Sequence, residues 1–144
     1  MAYRDVIVDV TDGGIDNGTA TPAHADFWTS GVSGSTLGHR LAYNYNWTAD
    51  PVANSQSGHG NINAAIVAGY NDRNGYPYED ISGSTANYNY GLGINPYGRV
   101  AGSKVFDNSG TWSPIAFNTT IVSNSYALGA RITSNSWGCG TGTC

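Results

Sequence analysis

The sequence has 144 residues, of which 40% are apolar and only 11% charged, with 6 Lys plus Arg and a formal net charge of −4. So few cations leave no basic stripe for a phosphate backbone, which argues against nucleic acid as a partner. No apolar run approaches the roughly 18–20 residues of a membrane helix, and the length suits one compact domain, or part of one, with a real core.

The first predicted element is a strand over Asp5–Thr11 (DVIVDVT), β-branched and closed by the turn residues of TDGGID. The opening MAYRDVIVDV carries Arg4 and Asp5 where a signal peptide needs an apolar stretch, so the chain reads as cut from inside something longer. Leu41–Trp47 (LAYNYNW) alternates apolar and polar residues, which predicts a half-exposed strand with Tyr43, Tyr45 and Trp47 on one face. GHGNINAAIVAGY at 58–70 predicts a helix over Gly60–Tyr70, whose small residues Ala64, Ala65 and Ala68 let it press against a sheet. Asn71–Asn89, rich in Asn, Gly, Tyr and Ser, predicts a long surface loop. A strand follows over Arg99–Phe106, then a helix from Ser113 to Leu128, with Ser113 as cap and Pro114 at the first helical position. Ala130–Ser136 predicts the last strand. Strands interleaved with helices imply an α/β fold with a parallel sheet flanked by helices. Sites in such sheets form at the carboxyl ends of the strands.

Two residues fall where that chemistry would sit: Asp12 at the end of the first strand and His59 at the head of the first helix. A carboxylate accepting from one imidazole nitrogen fixes the tautomer and stabilises the imidazolium formed when the other nitrogen takes a proton. The helix dipole disfavours a resting charge on His59, and Gly58 and Gly60 permit close backbone approach on both sides. Asp16 is the rival carboxylate, but four residues past the strand end it is better placed to satisfy loop amides. His24 and His39 read as surface loop residues. Cys139 and Cys144 (CGTGTC) could close a small disulfide loop or pair elsewhere, and the histidines lack the paired spacing of a zinc site. Three Asn-x-Ser/Thr triplets, at Asn17, Asn46 and Asn118, suit a secreted, extracellular protein.

With these residues in view, VDVTDGGID resembles the strand-end aspartate motif of the subtilisin-like serine proteases (subtilases, peptidase S8). GHGNINAAIVAG is similar to their histidine motif, YGLGINPYGRVAGSKVFDNSGTW to the following strand and substrate-binding segment, and ARITSNSWG to the next. These motifs stand in family order and cover most of Val6–Gly138. The resemblance implies that residues 1–144 are the N-terminal part of a subtilase-like catalytic domain, a subtilisin-like fold incomplete on its C-terminal side. It implies catalytic roles for Asp12 and His59. It also implies substrate binding by Ser109, Gly110 and Trp112 on one side of a cleft and by Ser136, Trp137 and Gly138 on the other. A protein or peptide substrate would then add as an extended strand. No cofactor is required, although Asp26 matches a calcium-ligating position and Asn71–Gly75 a loop that supplies further oxygens.

The departures are informative. Gly13 stands where the family usually has Thr or Ser, Ile62 replaces a second histidine, and Ala65 replaces a helix glycine. The gap from Asp12 to His59 is 47 positions, against roughly 30 in the subtilisin pattern, which predicts an insertion around His24–Trp47. The family's serine is expected near position 210, about 150 residues after the histidine, and no Gly-Thr-Ser-x-Ala element occurs in the sequence. The expected activity is a serine endopeptidase that needs a downstream serine and is inactive without it. The alternative is a non-catalytic extracellular structural or adhesive module with the same fold; a sugar-binding reading rests only on aromatics and amides. The missing half, a partner chain or self-association is expected to cover exposed sheet edge.

Overall fold

A computed structural model describes residues 5–70, 79–80, 88–89 and 92–138. Its centre is a four-stranded sheet of β1 (Ile7–Asp12), β2 (Leu41–Asn46), β5 (Arg99–Lys104) and β6 (Ala130–Ser134), in the order β2-β5-β1-β6. Every pairing in it is parallel. Helix α1 (His59–Ala68) and the short helix α2 (Val122–Ala127) complete the α/β arrangement. A two-residue antiparallel ladder joins β3 (Glu79–Asp80) and β4 (Tyr88–Asn89) inside the segment predicted to be loop; the rest of residues 71–87 lies outside the described residues.

The β-branched run of β1 is buried along its whole length because strands lie on both its edges and helices on both its faces. Val10 faces α1, where it joins Ile15, Phe27, Leu41, Val100, Ala64 and Ala68 in the main core. Ala64 and Ala68 are fully buried. Larger side chains there would push α1 off the sheet at a cost of about 1–3 kcal/mol each. The opposite face holds a smaller cluster of Ile7, Ala101 and Ala130. It also holds a buried carboxylate, Asp9, which accepts from the hydroxyls of Thr11, Tyr43, Ser103 and Ser125 at 2.5–3.0 Å.

The alternating 41–47 segment forms an edge strand. Tyr43 turns its hydroxyl to Asp9, and Tyr45 stacks on Trp47 with ring centroids 4.4 Å apart. At the other edge, β6 leaves Ile132 exposed, as α1 leaves Ile62 and Ile66 exposed on its outer face.

The helix predicted over Ser113–Leu128 requires correction. Ser113 does not cap a helix: its N–H donates to Val105 O at 2.7 Å and its hydroxyl to Trp47 O at 2.5 Å, which keeps it in the sheet's extension. A residue before proline is also biased toward extended backbone. The chain next makes a π-helical turn over Phe117–Ile121, where β-branched Thr119, Thr120 and Ile121 crowd a tight α-turn, and α2 begins only at Val122.

Candidate active site

The carboxyl ends of β1 and β5 open onto a cleft of about 360 Å³. β1 delivers Asp12 there with a side chain 2% exposed, while α1 delivers His59 at 57% exposure. His59 Nδ1 lies 2.8 Å from Asp12 Oδ1. That contact assigns the ring proton to Nδ1, donating to the carboxylate, and leaves Nε2 on the opposite edge of the ring as the basic atom.

Local structure explains how a strand end and a helix start meet. Gly58 takes the left-handed conformation that begins α1, at φ 78°. With no side chain to cap the helix there, the hydroxyls of Ser57 and Ser55 accept the N–H groups of His59 and Asn61 at 3.4 and 3.3 Å. Gly60 is what permits the docking. A Cβ at that position would sit 2.1 Å from Gly14 O and 3.3 Å from Asp12 Cβ. Asn61 then reaches across to accept Asp16 N at 3.1 Å, tying the helix to the loop after β1.

Asp12 is held by more than His59. Gly13 N donates to Oδ1 at 2.6 Å, so the backbone supplies a bond although the residue has no hydroxyl. Asn63 Nδ2 donates to Oδ2 at 3.1 Å. Asn63 was missed in the sequence, yet its signal was present: it follows His59 by four positions, one turn along the same helix face. Asp16 plays another part, its Oδ2 accepting the N–H groups of Ala23 and His24 at 2.5 and 2.9 Å.

Of the residues expected to bind substrate, Gly110, Ser136, Trp137 and Gly138 line the same cleft as Asp12 and His59. Ser109 and Trp112 do not. Ser109 turns its hydroxyl to Asp107 Oδ1 at 2.6 Å, and Trp112 packs against Phe106 and Trp137 with centroids 5.2 and 4.8 Å away. Residues 106–112 form a tight hairpin closed by a Phe106–Trp112 bridge. Its N–H groups from Asn108 to Thr111 all point to Asp50 or Asp107. The Ser109 hydroxyl and the Thr111 N–H hold the Asp107 carboxyl below its ordinary range. Asn108, on the cleft, is fixed by Lys104 and Asp50, a cluster that no local pattern announced.

The implied calcium position meets a different environment. Asp26 O accepts Arg40 Nη2 at 2.5 Å, and the Asp26 carboxylate lies 3.7 Å from His24 Nδ1. Among the described residues no three acidic, histidine or cysteine side chains gather. Asn71–Gly75, Cys139 and Cys144 lie outside the described residues. No described helix is long and apolar enough to cross a membrane.

Comparison with known families decides the relationship: the subtilase family model, peptidase S8, matches residues 3–143. The chain belongs to the subtilase family. It matches the N-terminal catalytic region of subtilisin-like enzymes, and a serine-peptidase type of function goes with that membership. No curated protein matched the sequence. In this subtilase the buried carboxylate and half-exposed imidazole meet at one strand-end cleft.

Proposed function

We propose that this segment supplies the base and its orienting carboxylate to a serine endopeptidase, with the nucleophilic serine provided by polypeptide beyond these residues. The observation that carries the reading is the 2.8 Å contact between His59 Nδ1 and Asp12 Oδ1, with the imidazole reaching an open cleft. His59 Nε2 would take the serine's proton as the hydroxyl attacks the scissile carbonyl, then deliver it to the leaving amine. Asp12 would keep the ring in register and stabilise the imidazolium. The segment lacks the nucleophile motif, so by itself it would be inactive.

A polypeptide substrate would lie between the 106–112 hairpin and the Ser136–Gly138 stretch, meeting Gly110 and Trp137. Because the hairpin N–H groups are turned inward, substrate N–H groups would pair with hairpin carbonyls on that side. The exposed edge at β6 and the apolar outer face of α1 would be covered by the serine-bearing region, and an extracellular setting suits the composition.

The test joins the segment to its serine-bearing region and measures peptide hydrolysis. Asp12→Asn should lower kcat by about 10⁴, as the equivalent change does in serine-protease triads. Hydrolysis that survives His59→Ala undiminished would defeat the proposal.

A further inference from the structure

Lys104 is the only lysine in the sequence, and its side chain is fully buried where β5 ends. A lysine ammonium persists inside a protein only where oxygen atoms replace its water. Here Nζ donates to Asn108 Oδ1 at 2.7 Å and to Asn54 O at 3.0 Å, and it pairs with Asp50 Oδ2 at 2.8 Å. Nζ also lies 3.5 Å from Asn54 Oδ1, so its three N–H groups meet oxygens of three residues.

Those oxygens belong to separate segments beside the cleft, of which Asn108 lines it. Asn108 lies on the hairpin that forms one wall. Asn54 precedes Ser55 and Ser57, whose hydroxyls accept the N–H groups of Asn61 and His59 at the start of α1. Asp50 closes the figure, since its Oδ2 also accepts Asn108 N at 2.8 Å. One buried cation therefore ties the hairpin to the segment that leads into α1, and the grip lies outside the Asp12–His59 pair itself.

We propose that Lys104 is a positioning residue that fixes the 106–112 hairpin against the segment leading into α1, and so sets the affinity for an extended peptide, without acting on the reacting atoms. The proposal rests on the protease reading of the cleft. Its test uses the segment joined to its serine-bearing region, in a His59→Ala background for binding so that turnover does not interfere. A fluorescein-labelled hexapeptide is titrated by anisotropy, and in the His59-containing protein steady-state hydrolysis separates KM from kcat. Lys104→Met should weaken hexapeptide binding about tenfold, the size expected on losing a charged hydrogen-bond anchor. KM should rise by a similar factor while kcat falls by less than that. Asn108→Ala, which cuts the grip at its exposed end, should weaken binding in the same way and decides the question if Lys104→Met does not fold.

Binding within twofold of the parent in these variants overturns the proposal. So does a fall in kcat larger than the rise in KM, since that marks damage at the reacting atoms and not at the peptide's seat. Failure of the protease reading looks different. A parent that binds the hexapeptide without hydrolysing it overturns that reading alone, and a parent that does not bind overturns both.

Discussion

Asn63 stands one helical turn beyond His59, and its amide nitrogen donates to Asp12 Oδ2 at 3.1 Å while His59 takes Oδ1 at 2.8 Å. The two oxygens of one carboxylate are thus shared between two residues of the same helix face. The Asn63 nitrogen also lies 3.3 Å from His59 Nδ1. Because Nδ1–H donates to Asp12, that neighbour is a spacer that limits how far the ring can swing, and the pair constrains the carboxylate from both sides.

Asn63→Ala should therefore lower kcat/KM by about tenfold, the worth of one partly exposed hydrogen bond to a charged group. The loss should be far smaller than that of Asp12→Asn. Steady-state hydrolysis of a peptide by the protein carrying the serine region checks it. An Asn63→Ala enzyme as impaired as Asp12→Asn would show that Asn63 does more than steady the carboxylate.

Two glycines beside the site should respond in opposite ways. At Gly60 an added Cβ would lie 2.1 Å from a backbone oxygen, so Gly60→Ala must push α1 away from β1, at about 3 kcal/mol or more. At Gly13 the nearest atom is Ser57 Oγ at 3.8 Å, an ordinary contact, so Gly13→Ala should change stability by less than about 1 kcal/mol. Urea denaturation of the two variants reads the contrast directly. Equal destabilisation by both would contradict the docking geometry.

The placement of Asp12 and His59 was legible because each is set by its own local pattern, a β-branched run that stops and a glycine-flanked helix that starts. The parallel sheet followed from the alternation of such patterns. What stayed hidden depends on distant contacts. The grip of Lys104 joins positions 50 apart in the sequence, and nothing in GSKVF marks its lysine as buried. Ser113 and Pro114 make a good helix start in isolation, but bonds from Ser113 to Trp47 and Val105 outweigh that preference. Asn63 fell between these cases: its spacing from His59 was visible, its reach to Asp12 was not.

The buried Asp9 gives a stability prediction. Tyr43 donates to it at 2.5 Å, alongside Thr11, Ser103 and Ser125. Tyr43→Phe leaves the carboxylate one donor short and should cost about 1–3 kcal/mol near neutral pH, read from chemical denaturation.

The same tyrosine predicts an alkaline limb. Burial first, and then the adjacent Asp9 charge and hydrogen bond, raise its pKa above the ordinary value of 10.0. The folded state then holds the phenolic proton more tightly than the unfolded chain does. Its contribution is complete below pH 10.0 and is lost as pH rises from there through the folded pKa. The stability gap between the parent and Tyr43→Phe should accordingly narrow above pH 10.0, and a gap that widens there would reverse the sign of the argument.

At the acid end the hairpin should respond through Asp107. The Ser109 hydroxyl and the Thr111 N–H lower its pKa below the ordinary 3.8 because each favours the ionised carboxylate. A depressed folded pKa contributes stability that is present above 3.8 and lost as pH falls through the folded value, since protonation removes the charge those donors were binding. The Thr111 amide, which donates to Asp107 Oδ1 at 2.8 Å, is the natural reporter. Its NMR shift should titrate with a midpoint below 3.8 and should lose that titration in Asp107→Asn, which keeps an oxygen for the turn but not the charge. A Thr111 midpoint at or above 3.8 would mean that the turn does not hold the carboxylate in its ionised form, and the cleft hairpin would then need another source of its shape.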